Sequence, residues 1–294
     1  MANQEQDQIT GVDTTGHEWD GIKELNNPLP RWWLWTFYAT IVFSIGYMIY
    51  YPAIPLIEGA TQGISGKTTR GDLKVEMAAA NEAKAGLLSQ IAASDLETIR
   101  SNDELARFAV AGGESAFKVY CSQCHGSGAQ GGPGYPNLND DDWLWGGDLE
   151  AIYVSVKHGI RNSEDDDARD SLMPAFGGDG ILDREQITQV TQYVLQVSKQ
   201  EFDSDQATAG KMIFEENCAS CHGASATGDR EIGAPNLADA ISLYGNTAST
   251  IAAQISKPKH GVMPSWAGRL SDETIKQLAI YVHNRGGGEA AASE

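Results

Sequence analysis

Cysteine is scarce in this chain, with four in 294 residues. That is too few for a disulfide framework, which belongs to small secreted domains without a sufficient core. Basic residues are also short: 21 Lys and Arg face 40 Asp and Glu, for a formal net charge of −19. A nucleic acid is thereby excluded as a partner, because phosphate binding needs a basic surface. The deficit is uneven, roughly −4 over residues 1–31, roughly −3 over 58–105, roughly −7 over 106–200 and roughly −5 over 201–294. A basic protein partner suits this surface, with association steered by charge and weakened by salt. In the two halves of an internal repeat over residues 107–286 the signals are helical with polar loops between, and no clear strand is expected there. Long apolar runs are missing as well, with one exception.

The exception runs from Trp32 to Ile57 and is most apolar from Trp32 to Tyr51. About 20 apolar residues span a bilayer core, so one transmembrane helix fits. Trp32, Trp33 and Trp35 crowd one end and Tyr47, Tyr50 and Tyr51 the other, as interfacial belts do. Pro28 and Pro30 precede it; Pro52 and Pro55 follow it. A cleaved signal peptide needs a basic leader and a short apolar core. The 31 residues ahead are acidic and the core is long, so an uncleaved anchor is expected. Loop charges do not orient it, since Lys23 and Arg31 before it are balanced by Lys67, Arg70 and Lys74 after it.

All four cysteines fall in two pentapeptides, Cys121-Ser122-Gln123-Cys124-His125 and Cys218-Ala219-Ser220-Cys221-His222. C-x-x-C-H is the attachment signature of c-type haem. Each cysteine pair can add to two vinyl groups, and the adjoining histidine can reach the iron. The other readings are one zinc site, two disulfides or a redox pair. A zinc ribbon spaces its pairs about 15–20 residues apart, and a thioredoxin-like pair needs a βαβ surround. Here the pairs stand roughly a hundred residues apart, the scale of a domain repeat.

The repeat extends beyond the cysteines. Gly113 and Phe117 precede the first pair as Gly210 and Phe214 precede the second. Pro136-Asn137-Leu138 matches Pro235-Asn236-Leu237, and Lys157-His158-Gly159 matches Lys259-His260-Gly261. Met173-Pro174 and Met263-Pro264 follow, and each half closes on a helical stretch, with Tyr193 in the first and Tyr281 in the second. Between anchor and repeat, residues 58–71 read as a linker and 72–107 as helix, with a restart at Ser94 and Glu97. Six segments and a tail follow: 1–31 tail, 32–57 anchor, 58–106 linker and spacer, 107–199 and 205–286 haem domains joined by 200–204, and 287–294 as a flexible tail.

Of six methionines, Met173 and Met263 lie in matching loops after the histidines and are the candidates for the opposite iron face. A thioether there raises the potential, and a filled sixth position leaves electron transfer only. His158 and His260 are the rival ligands, with a surface-loop role as their ordinary alternative. The runs Asp140–Asp142 and Glu164–Asp167 are solvated faces or a docking surface for a basic donor; Trp143 and Trp145 follow the first run.

Each half resembles a class I cytochrome c domain. The resemblance implies a mainly α fold: one N-terminal transmembrane helix followed by two tandem class I domains. It implies that Gly113 and Phe117 pack on the helix with Tyr193, and Gly210 and Phe214 on the helix with Tyr281. It also implies that the carbonyls of Pro136 and Pro235 accept from the ligand histidines, fixing tautomer and basicity. The stretch His17 to Tyr38, HEWDGIKELNNPLPRWWLWTFY, resembles the N-terminus of the di-haem P subunit (subunit III) of cbb3-type cytochrome c oxidases. Some members carry two membrane helices, whereas this chain has one.

That resemblance implies two covalent haems c, bound through Cys121, Cys124, Cys218 and Cys221. The irons would be ligated by His125, Met173, His222 and Met263. The chain would accept electrons from a donor cytochrome c and pass them to a mono-haem subunit and then to the haem–copper subunit that reduces O2. It would hold no catalytic residue of its own. It would cross a bacterial inner membrane once, with a cytoplasmic N-terminus, periplasmic haem domains and lipid around the anchor. A free-standing di-haem shuttle, a di-haem peroxidase and a redox or gas sensor are the competing functions.

Overall fold

A computed structural model of the chain describes residues 5–290. The ends of both terminal segments, 1–4 and 291–294, lie outside the described residues. The chain forms two compact units that meet in sequence at Ala83 and Lys84.

The first unit opens with a hairpin, β1 (Thr14–Trp19) against β2 (Ile22–Leu25), pairing Glu18 with Lys23 and Trp19 with Ile22. Its turn is Asp20-Gly21, with φ of 51° and 82°. Two positive φ values make the tight turn whose twist matches paired strands, and Asp-Gly is its favoured sequence. This hairpin lies in the 1–31 tail, ahead of the repeated halves, and the Asp-Gly dipeptide carries its signal. Helix α1 (Arg31–Tyr50) follows Pro30 and ends before an extended Tyr51. None of its residues is buried. An all-round apolar surface without a protein partner fits lipid. A short ribbon, β3 (Pro55–Leu56) with β4 (Gly59–Ala60), comes next. Helix α2 (Thr69–Ala93) spans the boundary in sequence.

The second unit is helical: α3 (Leu96–Ser101), α4 (Asp103–Tyr120), α5 (Ser122–His125), α6 (Leu149–His158), α7 (Arg184–Val197), α8 (Ser204–Asn217), α9 (Ala219–His222), α10 (Ala248–Ser256) and α11 (Asp272–His283). The helix expected over 72–107 is broken twice by caps. Asp95, rather than Ser94, starts α3 by accepting from the Thr98 amide at 2.7 Å. Asn102 starts α4 by accepting from the Glu104 and Leu105 amides. A side-chain oxygen that takes orphan amides is what makes such residues helix starters.

Two cores divide this unit, and they do not follow the two sequence halves. The first gathers Leu105, Ala109 and Phe117 of α4 with Leu149, Ile152 and Val156 of α6, and with Ile275, Leu278 and Val282 of α11. The second gathers Ile187, Val190 and Tyr193 of α7 with Phe214 of α8 and Ile255 of α10. Phe117 meets Tyr281 with ring centroids 5.4 Å apart, and Phe214 meets Tyr193 at 5.1 Å. A Cβ on Gly113 would strike the Gln277 carbonyl of α11, and one on Gly210 the Gln189 carbonyl of α7. The expected pairing is thus exchanged: α4 packs on α11 and α8 on α7. The faces are equivalent in both halves, so side chains alone do not choose. The connection chooses: only residues 198–203 separate α7 from α8, and a short link favours antiparallel neighbours. The second core is then one continuous stretch, and the first is closed by the chain's return.

The described part of the 287–294 tail is not free. The Trp143 indole donates to the Gly287 carbonyl at 2.7 Å, and Glu289 accepts from the Gly147 amide at 2.8 Å.

Candidate haem-binding sites

Each cysteine pair follows the long helix that carries the Gly and Phe of the crossing, so packing of that helix fixes the motif's position. The motif is a single turn, α5 in one site and α9 in the other. Both turns end in a left-handed glycine, Gly126 and Gly223, which reverses the chain toward the proline segment. The loops then match bond for bond. The His125 carbonyl accepts from Gly131 at 2.8 Å and that of His222 from Gly228 at 2.9 Å. Leu138 donates to Ala129, and Leu237 to Ala226, at 2.8 and 2.7 Å.

These loops bring the expected proline carbonyls to the histidines. His125 Nδ1 lies 3.1 Å from the Pro136 oxygen, and His222 Nδ1 lies 3.0 Å from that of Pro235. A carbonyl can only accept, so Nδ1 holds the proton and Nε2 keeps its lone pair. Burial pushes both imidazoles below their ordinary pKa, against the opposing pull of the proline carbonyl. A neutral ring with a free Nε2 is the form that ligates a metal. All four cysteines are free. Burial, with the neighbouring cysteine adding to it, pushes Cys121 and Cys218 up to about 11, so both remain thiols at neutral pH.

The methionines divide between the cores in crossed order. Met263 packs on the core that contains α4 and Cys121, and Met173 on the core that contains Phe214 and Cys218. The Met263 segment is pinned to the end of α6, where the Trp266 amide reaches the Lys157 carbonyl at 3.1 Å and Ser265 Oγ reaches it at 2.8 Å. The Met173 segment is pinned to α10 through the Gly178 amide and the Ser256 carbonyl at 2.9 Å. Each histidine therefore shares a core with the methionine from the other sequence half. Only the spatial crossing of the helices reveals this pairing; the linear repeat hides it.

The rival histidines are otherwise engaged. His158 Nδ1 sits 3.2 Å from Asp165, which also accepts from Ser265 Oγ at 2.7 Å. His260 Nε2 accepts from the Met173 amide at 3.1 Å. Both hold methionine loops in place. His283 Nε2, on the last turn of α11, lies 2.8 Å from the Glu289 carbonyl. The acidic runs are only partly outward: Asp165 is turned in, Asp140 accepts from Asn137 at 2.7 Å, and Glu164, Asp166 and Asp167 are exposed.

The donor set fits a haem c at each motif: two free thiols, one imidazole with an open Nε2, and a thioether in the same core. A second observation agrees for a macrocycle with carboxylate arms. Among the described residues the buried Trp145 indole nitrogen has no hydrogen-bond partner, a state that native structures rarely leave unexplained. Its ring lies over Gly233, two residues before Pro235, and Arg169 lies over the ring at 5.3 Å.

A helical fold with two such motifs defines a c-type cytochrome. Residues 108–194 and 205–282 each match the family described as cytochrome c oxidase, cbb3-type, subunit III. Residues 11–58 match the N-terminal domain of cytochrome oxidase-cbb3, FixP. The cbb3-type cytochrome c oxidase subunit FixP of Sinorhizobium medicae is 54% identical over 283 residues, 96% of this chain and 97% of its own length. Subunit CcoP of Cereibacter sphaeroides is 54% identical, over 94% of this chain and 95% of its own. Subunit CcoP of Azospirillum brasilense is 48% identical, over 98% and 100%. The chain belongs to the subunit III family of cbb3-type cytochrome c oxidases. It is a haem c-binding, membrane-anchored subunit of that oxidoreductase complex.

Proposed function

We propose that this chain is the electron-entry subunit of its oxidase. It binds two haems c, one at Cys121, Cys124 and His125 and one at Cys218, Cys221 and His222. It takes electrons from a basic donor cytochrome c and relays them through a mono-haem subunit toward the haem–copper subunit that reduces O2. Helix α1 crosses the bacterial inner membrane once, with the N-terminus cytoplasmic and both haem-binding cores periplasmic. Bound haem supplies a one-electron Fe(III)/Fe(II) couple, and the rest is the work of this chain's residues. The thiols anchor the group, and the proline carbonyls hold each imidazole proton on Nδ1. Met263 closes the site of His125 and Met173 the site of His222, so neither leaves room for substrate. The exposed Glu164, Asp166 and Asp167 offer a negative face to the donor.

The observation that carries this reading is the doubled His–Pro bond, 3.1 and 3.0 Å, with a methionine loop in each core. The test is purification of the tagged full chain from its membrane in mild detergent. Two haems c per chain, cofractionation with a mono-haem and a haem–copper subunit, and oxidation of a basic cytochrome c by the assembly are expected. A chain that migrates alone would instead be a free-standing shuttle, and peroxide turnover by the isolated chain would make it an enzyme.

A further inference from the structure

Two segments cross between the cores, 159–173 outward from α6 and 256–263 back from α10. Where they pass, Ile160 and Met263 exchange backbone hydrogen bonds of 2.9 and 3.0 Å. Arg161 sits beside this crossing with φ of +52°. A long side chain in left-handed backbone carries a cost that glycine would not, and such outliers persist where a side chain is needed. The residue is half-buried. Among the described residues no carboxylate lies within ion-pair distance of it.

Its donors go to main-chain carbonyls instead. Nε donates to the Gly261 oxygen at 2.7 Å, and Nη1 to the Ser171 oxygen at 3.2 Å. Gly261 stands two residues before Met263, and Ser171 two residues before Met173. One planar group therefore grips the same point of both methionine loops. The fork geometry matters, because a lysine ammonium is a compact point charge without a second fixed donor direction. A plain chain-joining residue would have no reason to hold both loops at equivalent positions in strained backbone.

We infer that Arg161 is a positioning residue shared by both methionine loops, holding Met263 toward the site of His125 and Met173 toward the site of His222. This rests on the reading of the two methionines as iron ligands. It makes the two sites mechanically dependent on one side chain, so a single change there alters both.

The test uses the full haem-loaded chain in detergent. The readouts are the ferric methionine–iron charge-transfer band, both midpoint potentials and imidazole titration of each haem. Arg161→Gly is the informative variant, because glycine accepts the left-handed backbone, so the whole side chain is lost without added backbone strain. Unchanged haem content and helicity are expected, with imidazole displacing methionine at both haems at about tenfold lower concentration, the scale of a lost charge-assisted bond. Arg161→Lys should fall between, since it keeps a charged donor but lacks the fixed fork that fits both carbonyls, and it gives the same readouts if the glycine variant accumulates poorly. A wild-type chain without the charge-transfer band would remove the ligand reading itself. A wild-type chain with the band, and variants whose imidazole affinity is unchanged or altered at one haem only, would overturn the role of Arg161.

Discussion

Phe117 and Tyr281 stand 5.4 Å apart, ring centroid to centroid, and are 1% and 7% exposed. They tie the helix before the first cysteine pair to the last helix of the chain. Phe117→Ala should therefore destabilise the first core by about 3–5 kcal/mol. Aromatic coupling adds a sharper expectation. A double-mutant cycle of Phe117→Leu with Tyr281→Leu should give about 0.5–1.5 kcal/mol of interaction, whereas Phe117→Leu with Tyr193→Leu should give none. Denaturant unfolding followed by circular dichroism measures both, and coupling to Tyr193 would refute the exchanged helix pairing.

The crossed cores make a second expectation about the irons. In a chain whose second motif is disabled by Cys218→Ser and Cys221→Ser, only the site of His125 remains loaded. There Met263→Ala should abolish the methionine–iron band and lower the potential, since a thioether favours reduced iron. Met173→Ala should leave the band of that haem in place. The reverse result would assign each methionine to its own sequence half.

The site chemistry could be read from the sequence because it is local. Cys121 to His125 is one turn of chain, and Pro136 follows it by a loop that its twin repeats at Pro235. Helix faces were legible for the same reason, as Leu105, Ala109, Gly113 and Phe117 recur at helical spacing. The partner of each face was not. Tyr193 and Tyr281 present equivalent surfaces, and the decision falls to the short 198–203 connection, which no periodicity records. Arg161 was invisible for another reason: an arginine that bonds backbone carbonyls leaves no mark in composition or motif. The hairpin at Asp20-Gly21 was legible in principle, from a turn dipeptide that composition obscured.

The anchor yields a third expectation. Helix α1 exposes Trp32, Trp35, Val42 and Phe43, each about 70% or more accessible, an apolar surface that water would not tolerate. A chain starting after residue 57, exported with a separate cleavable signal, should appear in the soluble periplasmic fraction with its haem content unchanged. The full chain should be released only by detergent. Retention of the shortened chain on membranes stripped of the other oxidase subunits would show that α1 is not its anchor.

The last expectation concerns Asp142, a half-buried carboxyl in the first acidic run. Burial, then the carboxylates of Asp239 and Asp140, push it up to about 6 from an ordinary 3.8. The neighbour Asp239 comes from the matching loop of the other sequence half, so folding itself creates the repulsion. The folded state binds this proton more tightly than the unfolded chain does. Stability from this group is therefore greatest below about pH 4 and is lost as pH rises through about 6. Asp142→Asn removes that loss while keeping a polar side chain. The variant should gain on the order of 1 kcal/mol over wild type at pH 7.5, allowing for solvent screening of a half-exposed group. It should gain nothing near pH 4, where the wild-type carboxyl is already protonated. Thermal melts of both proteins at the two pH values isolate this group together with its coupling to Asp239 and Asp140, because titrations remote from it cancel in the difference. An equal gain at both pH values would mean that packing, not charge, separates the two side chains.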